Sequence, residues 1–343
     1  MDVAVARCFG GRVSRTGRGS AGPNSVGSAL RFLGGRLLGG VAVLLVVSFA
    51  LFALIHAAPG GAEQALAGPY ASAEQRQAIR ETHRLDDPLL TQYGHYVRSL
   101  VTLDFGDSFL MREPVSDSLG RAAAITLPLL LSAWGLAMIG GIALGLLAAT
   151  HRDGVVDRWV SSTVVIGAST PMFATAILLT WLFGVKLGWF PTVGSGEGGI
   201  DTLRHLVLPT VAMAAVLLAS ATRVTRSAVM DVFDSDHVTF ARSRGVSSRR
   251  ILWNDVLRNA AVPIVTQAGG LLIALTGGLV VVESVFGFDG IGSLLTNAIS
   301  ARDIPVVQAV TLALAAAIVL INLAVDIAVF GLDPRVRRGK GRG

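Results

Sequence analysis

Residues 236–263 read DHVTFARSRGVSSRRILWNDVLRNAAVP, a polar, arginine-rich island between long apolar stretches. The pattern predicts two short helices broken at Gly245. A glycine there can take the left-handed conformation that ends one helix, and Ser247 can then cap the start of the next. In the second helix Leu252, Trp253, Val256 and Leu257 fall at helical spacing, while Arg249, Arg250 and Asn254 point elsewhere. A basic loop held at a membrane surface by its charge explains the arginines. It does not explain the helix–glycine–helix order, which points to a docking surface for a soluble partner.

Outward from this island the chain is a membrane protein. It is 52% hydrophobic and 15% charged over 343 residues, with mean hydropathy +0.61. That is too apolar for one soluble domain. A span needs about 20 apolar residues, and six stretches qualify: 37–56, 125–149, 159–185, 203–221, 263–285 and 305–331. With the N-terminus inside, the segments 1–36, 150–158, 222–262 and 333–343 hold most of the 29 Lys and Arg residues. This asymmetry predicts that both termini and the 222–262 loop are cytoplasmic. The net charge of +6 is then a membrane signature and calls for no nucleic acid. Residues 1–30, rich in Arg, Gly and Ser, read as a disordered cytoplasmic tail rather than a cleaved leader, because the span that follows is too long for a leader's apolar core. Cys8 is the single cysteine, so neither an intrachain disulfide nor a cysteine metal cluster is expected.

The long loop 57–124 carries helical signals of its own. Ser72 to Arg84 reads as a helix with Ser72 as the cap and Gln75 three residues on. Leu85-Asp86-Asp87-Pro88-Leu89 breaks it, and Gln92 to Leu103 reads as another. His83, Tyr93 and His95 are explained as an ordinary helix surface rather than a ligand set. Within the spans, Glu283 and Asp326 stand out, because intramembrane carboxylates are costly. Asn322 and Asp326 share a face, so a hydrogen bond between them or to another helix is expected for that pair. Gly269-Gly270 and Gly277-Gly278 predict close helix approach. Pro171 predicts a kink in the third span and a freed carbonyl.

Catalytic motifs are missing. The chain has no GxxxxGK[ST], and its two lysines, Lys186 and Lys340, are followed by Leu and Gly. No phosphate-binding loop is present, and neither are HExxH, GxSxG or CxxC.

Two segments resemble a known family. Thr239-Phe240-Ala241-Arg242-Ser243-Arg244-Gly245 followed by Leu257-Arg258-Asn259-Ala260 and Pro263 is similar to the EAA loop of ABC importer permeases, in the form of the dipeptide/oligopeptide/nickel branch. Phe240 and Ser243 depart from its usual residues. LDDPLLTQYGHYVRSLVTLDFGDSFLMREPV in loop 57–124 resembles the outer segment of the first, B-type permease of those systems, through Leu85, Asp86, Pro88, Leu89, Gln92, Tyr93, Asp104, Phe105, Gly106, Ser108, Phe109, Pro114 and Val115. Gly61 stands where an Asp is usual. The turn FGFDGIG at 286–292 also resembles the family, with Asp289 where Pro is common, as does NLxVD…LDPR at 322–326 and 332–335. The resemblance covers residues 31–338.

It implies an all-α, six-span permease domain of the type I ABC importer kind over 31–338, with an extracytoplasmic loop 57–124, a coupling loop 222–262 and a basic tail 339–343. It implies ATPase-coupling residues Thr239, Phe240, Ala241, Gly245, Val246, Ser247, Arg249 and Arg250. The implied partners are a second permease, two ATPase subunits or domains, an extracytoplasmic binding protein and membrane lipid. No cofactor is expected in this chain; ATP and Mg would sit on the ATPases. Peptide import across the bacterial inner membrane is the expected function. Import of nickel or another small solute is the alternative, and a proton-coupled secondary transporter using Asp326 and Glu283 is a more distant one.

Overall fold

A computed structural model describes residues 24–57, 62–63, 71–82 and 84–332. Among these the regular structure is helical, with turns and loops between helices and an isolated bridge between Asp107 and Pro114. The first helix, α1 (Asn24–His56), begins inside the stretch expected to be a disordered tail to residue 30. The remainder of that tail, His83 and the tail 339–343 lie outside the described residues.

The described residues of loop 57–124 fold as their sequence dictates. Helix α2 (Ala73–Thr82) starts with a reciprocal capping box: the Ser72 amide donates to Gln75 Oε1 at 2.9 Å and the Gln75 amide to Ser72 Oγ at 3.2 Å. Each of two otherwise orphaned donors is thereby satisfied. Pro88 then opens α3 (Leu89–Val101). Buried Gln92 donates to the Leu85 and Asp87 carbonyls at 3.0 and 2.7 Å, and its oxygen lies 2.9 Å from His56 Nε2 at the outer end of α1. Ser108 donates to buried Asp303 at 2.6 Å, and the Leu110 amide to the same oxygen at 3.0 Å. The loop is thus tied to the end of α1 through Gln92 and to the start of the last span through Asp303, which lies 195 residues from Ser108 in chain order.

Helix α4 (Val115–Thr150) follows, and α7 (Gly199–Phe233) runs parallel to it. Ser132 meets Thr210 at 2.7 Å, Gly141 and Gly145 face Ala221 and Thr225, and Arg152 pairs with Asp234 at 2.8 Å. A Cβ on Gly141 would come within 2.3 Å of the Ala221 Cβ, so this seam needs small residues on both sides. Because α4 and α7 point the same way, the chain between them must return across the membrane. It does so as a broken span, α5 (Val155–Ser169) and α6 (Met172–Lys186), bent by 98°. The expected kink at Pro171 is therefore a full break. The Ser169 and Thr170 hydroxyls donate to the Val165 and Ile166 carbonyls at 2.8 and 3.2 Å, satisfying groups the break leaves free.

After a short helix α8 (Asp236–Ser243), α9 (Ser248–Phe286) runs antiparallel to α4, with Trp134 Nε1 donating to the Ala268 carbonyl at 2.8 Å. An outer helix α10 (Ile291–Ala301) leads to α11 (Ile304–Leu332), which packs on α1. Among the described residues five helices are long and apolar enough to cross a membrane, and the bent pair taken as one span makes six. Of the two bonds expected for Asn322 and Asp326, the interhelical one forms: Asp326 pairs with Arg36 of α1 at 3.0 Å, while Asn322 donates to the Ile318 carbonyl of its own helix. Of the four span glycines singled out above, Gly269 abuts Val325 and Gly278 abuts Met172, while Gly270 and Gly277 face open space.

Candidate functional site: the arginine-rich helical hairpin

The arginine-rich island forms a hairpin at the end of the bundle where α4 and α7 finish. Asp234 closes α7 and accepts both bonds from Arg152 Nη1, at 2.8 and 2.9 Å, which ties the hairpin's base to the 151–154 turn. That turn is itself fixed by buried Asp157, which accepts from Arg226 Nε and Nη2 at 2.7 Å each and from the Asp153 amide at 3.1 Å.

Helix α8 ends in a Schellman motif. The Val246 amide donates to the Ala241 carbonyl at 3.2 Å and the Gly245 amide to the Arg242 carbonyl at 2.9 Å, with Gly245 at φ +77°. That glycine supplies the left-handed residue without the clash a Cβ would bring to the backbone. Ser247 then occupies the N-cap position of α9 with an extended backbone, but its hydroxyl makes no capping bond. The cap is one of chain direction alone.

The second helix departs from its expected face. Leu252–Val256 is a π-helical stretch, which adds a residue to the turn and rotates the side chains that follow. Val256 is fully buried and Leu252 and Leu257 half-buried, but Trp253 is 62% exposed; Ile251 takes the buried place instead. Val238, Ile251, Val256 and Ala260 anchor the hairpin to the bundle core.

What faces outward is what the sequence singled out. Thr239, Phe240, Gly245, Ser247, Arg249 and Arg250 are exposed, and Ala241 and Val246 are half-buried beneath the turn. Phe240 is 64% exposed, with the Arg244 guanidinium 5.8 Å from its ring centroid. Among the described residues neither Arg249 nor Arg250 has an acidic partner in ion-pair range. Exposed Phe240 and Trp253, with Arg244 over the Phe240 ring and Arg249 and Arg250 exposed nearby in sequence, give the hairpin side chains suited to a protein partner. Among the described residues no group of His, Cys, Asp and Glu is arranged to hold a metal.

Sequence reasoning found the hairpin but missed its continuity. The 222–262 loop and the span from 263 were read as separate, whereas α9 passes through Pro263 unbroken.

Comparison with known proteins gives a consistent result. Residues 141–338 match the family described as binding-protein-dependent transport system inner membrane component, and residues 29–130 match its N-terminal companion family. The glutathione transport system permease protein GsiC of Escherichia coli (strain K12) is 38% identical over 302 residues, covering 88% of this chain and 97% of the relative. Its Salmonella typhimurium counterpart is 37% identical with the same coverage. In fold, the chain is similar to the inward-facing MetNI methionine ABC transporter (TM-score 0.53, 20% identity, 63% of this chain and 96% of that one).

Proposed function

The chain belongs to the binding-protein-dependent transport system inner membrane component family, and on that premise we propose that it forms half of a peptide translocation path driven by ATPases docked on the α8–α9 hairpin. It is a permease subunit of an ABC importer. The hairpin carries the docking reading: an exposed aromatic and arginine surface held by the Gly245 turn at one end of the bundle. Phe240 and Trp253 would seat in an apolar groove on the ATPase, and Arg249 and Arg250 would meet acidic residues at its rim.

The rest of the assembly follows from the family. A second permease completes the path, two ATPase subunits or domains bind ATP and Mg, and an extracytoplasmic binding protein delivers cargo. The termini and the hairpin lie on the cytoplasmic side, in keeping with the charge asymmetry. Closure of the ATPase pair would move the hairpins and switch the access side. Peptide cargo is favoured because relatives sharing most of this chain's length are named for transport of glutathione, a small peptide. Proton-coupled transport is disfavoured, because Asp326 is paired with Arg36 and both Glu283 oxygens accept hydrogen bonds.

Site-specific cross-linking tests the docking. With Cys8 replaced by Ser, Arg249→Cys and Ser247→Cys should cross-link to the ATPase subunit in membranes. Ser72→Cys should not. No cross-link from any position between 239 and 250 would remove the docking reading.

A further inference from the structure

Glu283 sits near the outer end of α9 and is fully buried. Both of its oxygens are engaged. The Thr126 hydroxyl of α4 donates to Oε1 at 2.6 Å, and the Ser293 amide donates to Oε2 at 2.9 Å. Thr126 Oγ1 in turn accepts the Ile291 amide at 2.8 Å. Two side chains from α9 and α4 therefore satisfy first-turn amides of α10, whose own N-cap is Gly290 and brings no side-chain acceptor. The carboxyl group also lies at the positive end of that helix.

The approach is too close for any other residues. A Cβ on Gly290 would stand 2.1 Å from Glu283 Oε1, and one on Gly292 would stand 2.7 Å from the Val280 Cα. Beyond the clamp, Leu294 and Ala298 of α10 seal against Val115 and Ala122 of α4 and Val306 of α11. The Gly194 amide also reaches the Phe286 carbonyl at 2.8 Å. The outer ends of α4, α9, α10 and α11 are thus fastened around one carboxylate.

The other end of α9 is the hairpin. Its 39 residues from Ser248 to Phe286 make a rod about 58 Å long at about 1.5 Å per residue. We propose that Glu283 is the positioning residue that joins this rod to α4 and α10, so that displacement at the hairpin is delivered to the outer mouth of the path. The proposal rests on the docking reading of the hairpin; it adds where the motion is received. Without the carboxylate, α9 would still move with the ATPases, and α10 would no longer follow it.

The test uses the assembled transporter with its binding protein, in a background carrying Cys8→Ser, and every readout is normalised to the amount of intact complex. Glu283→Ala is expected to keep ATPase association and to lose uptake by about tenfold or more. Labelling of Leu294→Cys by an impermeant thiol reagent should rise in that variant and stop responding to nucleotide. Glu283→Gln retains one acceptor oxygen and should fall between the two, as should Thr126→Val; these milder variants carry the test if Glu283→Ala does not accumulate. A merely structural role would lower the amount of complex and leave uptake per complex and the nucleotide response intact, and that result overturns the proposal. Gly245→Val separates the two readings. Loss of ATPase association there, with association preserved at Glu283→Ala, supports both; preserved association and transport in Gly245→Val would strike the docking reading, while uptake at the wild-type level in Glu283→Ala would strike this one.

Discussion

Substitution of Gly245 isolates the energetic contribution of one backbone angle. The residue holds φ +77°, and a Cβ built there meets nothing within 4 Å. Steric clash with neighbours is therefore excluded, and the penalty for a side chain is conformational alone. For an L-residue the left-handed region costs about 1–2 kcal/mol, which corresponds to a factor of about 5–30 in an equilibrium. A β-branched residue lies at or beyond the upper end, whereas Asn visits this region far more readily. Gly245→Val should weaken binding of the ATPase subunit to detergent-solubilised permease by about that factor, and Gly245→Asn should remain close to wild type. Membrane insertion of both should be normal, because the hairpin's anchors Val238, Ile251 and Val256 are untouched. Binding is measured by titrating labelled ATPase subunit, and uptake is followed in parallel. Equal affinities for the Val and Asn variants would refute the reasoning, since only the left-handed requirement distinguishes them.

Two further outcomes are expected. Arg226→Ala leaves the Asp157 carboxylate buried without its bidentate partner; removal of one member of a buried pair costs about 3–5 kcal/mol, toward the lower end here because Arg226 is partly exposed. The melting temperature of the purified complex should fall, and Asp157→Asn combined with Arg226→Gln should recover part of the loss; an unchanged melting temperature in Arg226→Ala would show the pair to be dispensable. For orientation, single cysteines at positions 72 and 248 in a Cys8→Ser background should give labelling of intact cells at 72 and none at 248, and the reverse pattern would invert the topology.

Local features were legible in the sequence because the residues that make them are neighbours. Gly245 ends a helix within five residues of the atoms it satisfies, and Ser72 and Gln75 cap one another three apart. The spans were legible because lipid leaves a chain few choices. Long-range partners were not. Nothing near Glu283 names Thr126, 157 residues away, and although a bond from Asp326 to another helix is expected, its partner Arg36 is not named by the sequence around it. The π-helical stretch that exposes Trp253 was hidden as well, since an α-helical wheel assumes a uniform turn. Helix α10 went unread because its apolar face is short and its capping groups belong to other elements.

The 98° break between α5 and α6 also constrains how the chain is made. Helix α5 has 15 residues, about 22 Å at about 1.5 Å per residue, and α6 is no longer. Neither half alone covers a hydrocarbon layer about 30 Å thick. Each half alone is therefore a poorer membrane span than α1 or α4. Both halves pack on α7, the next span to be synthesised. Packing of the bent pair is therefore complete only once α7 has been made, and the pair is expected to settle after the span that follows it.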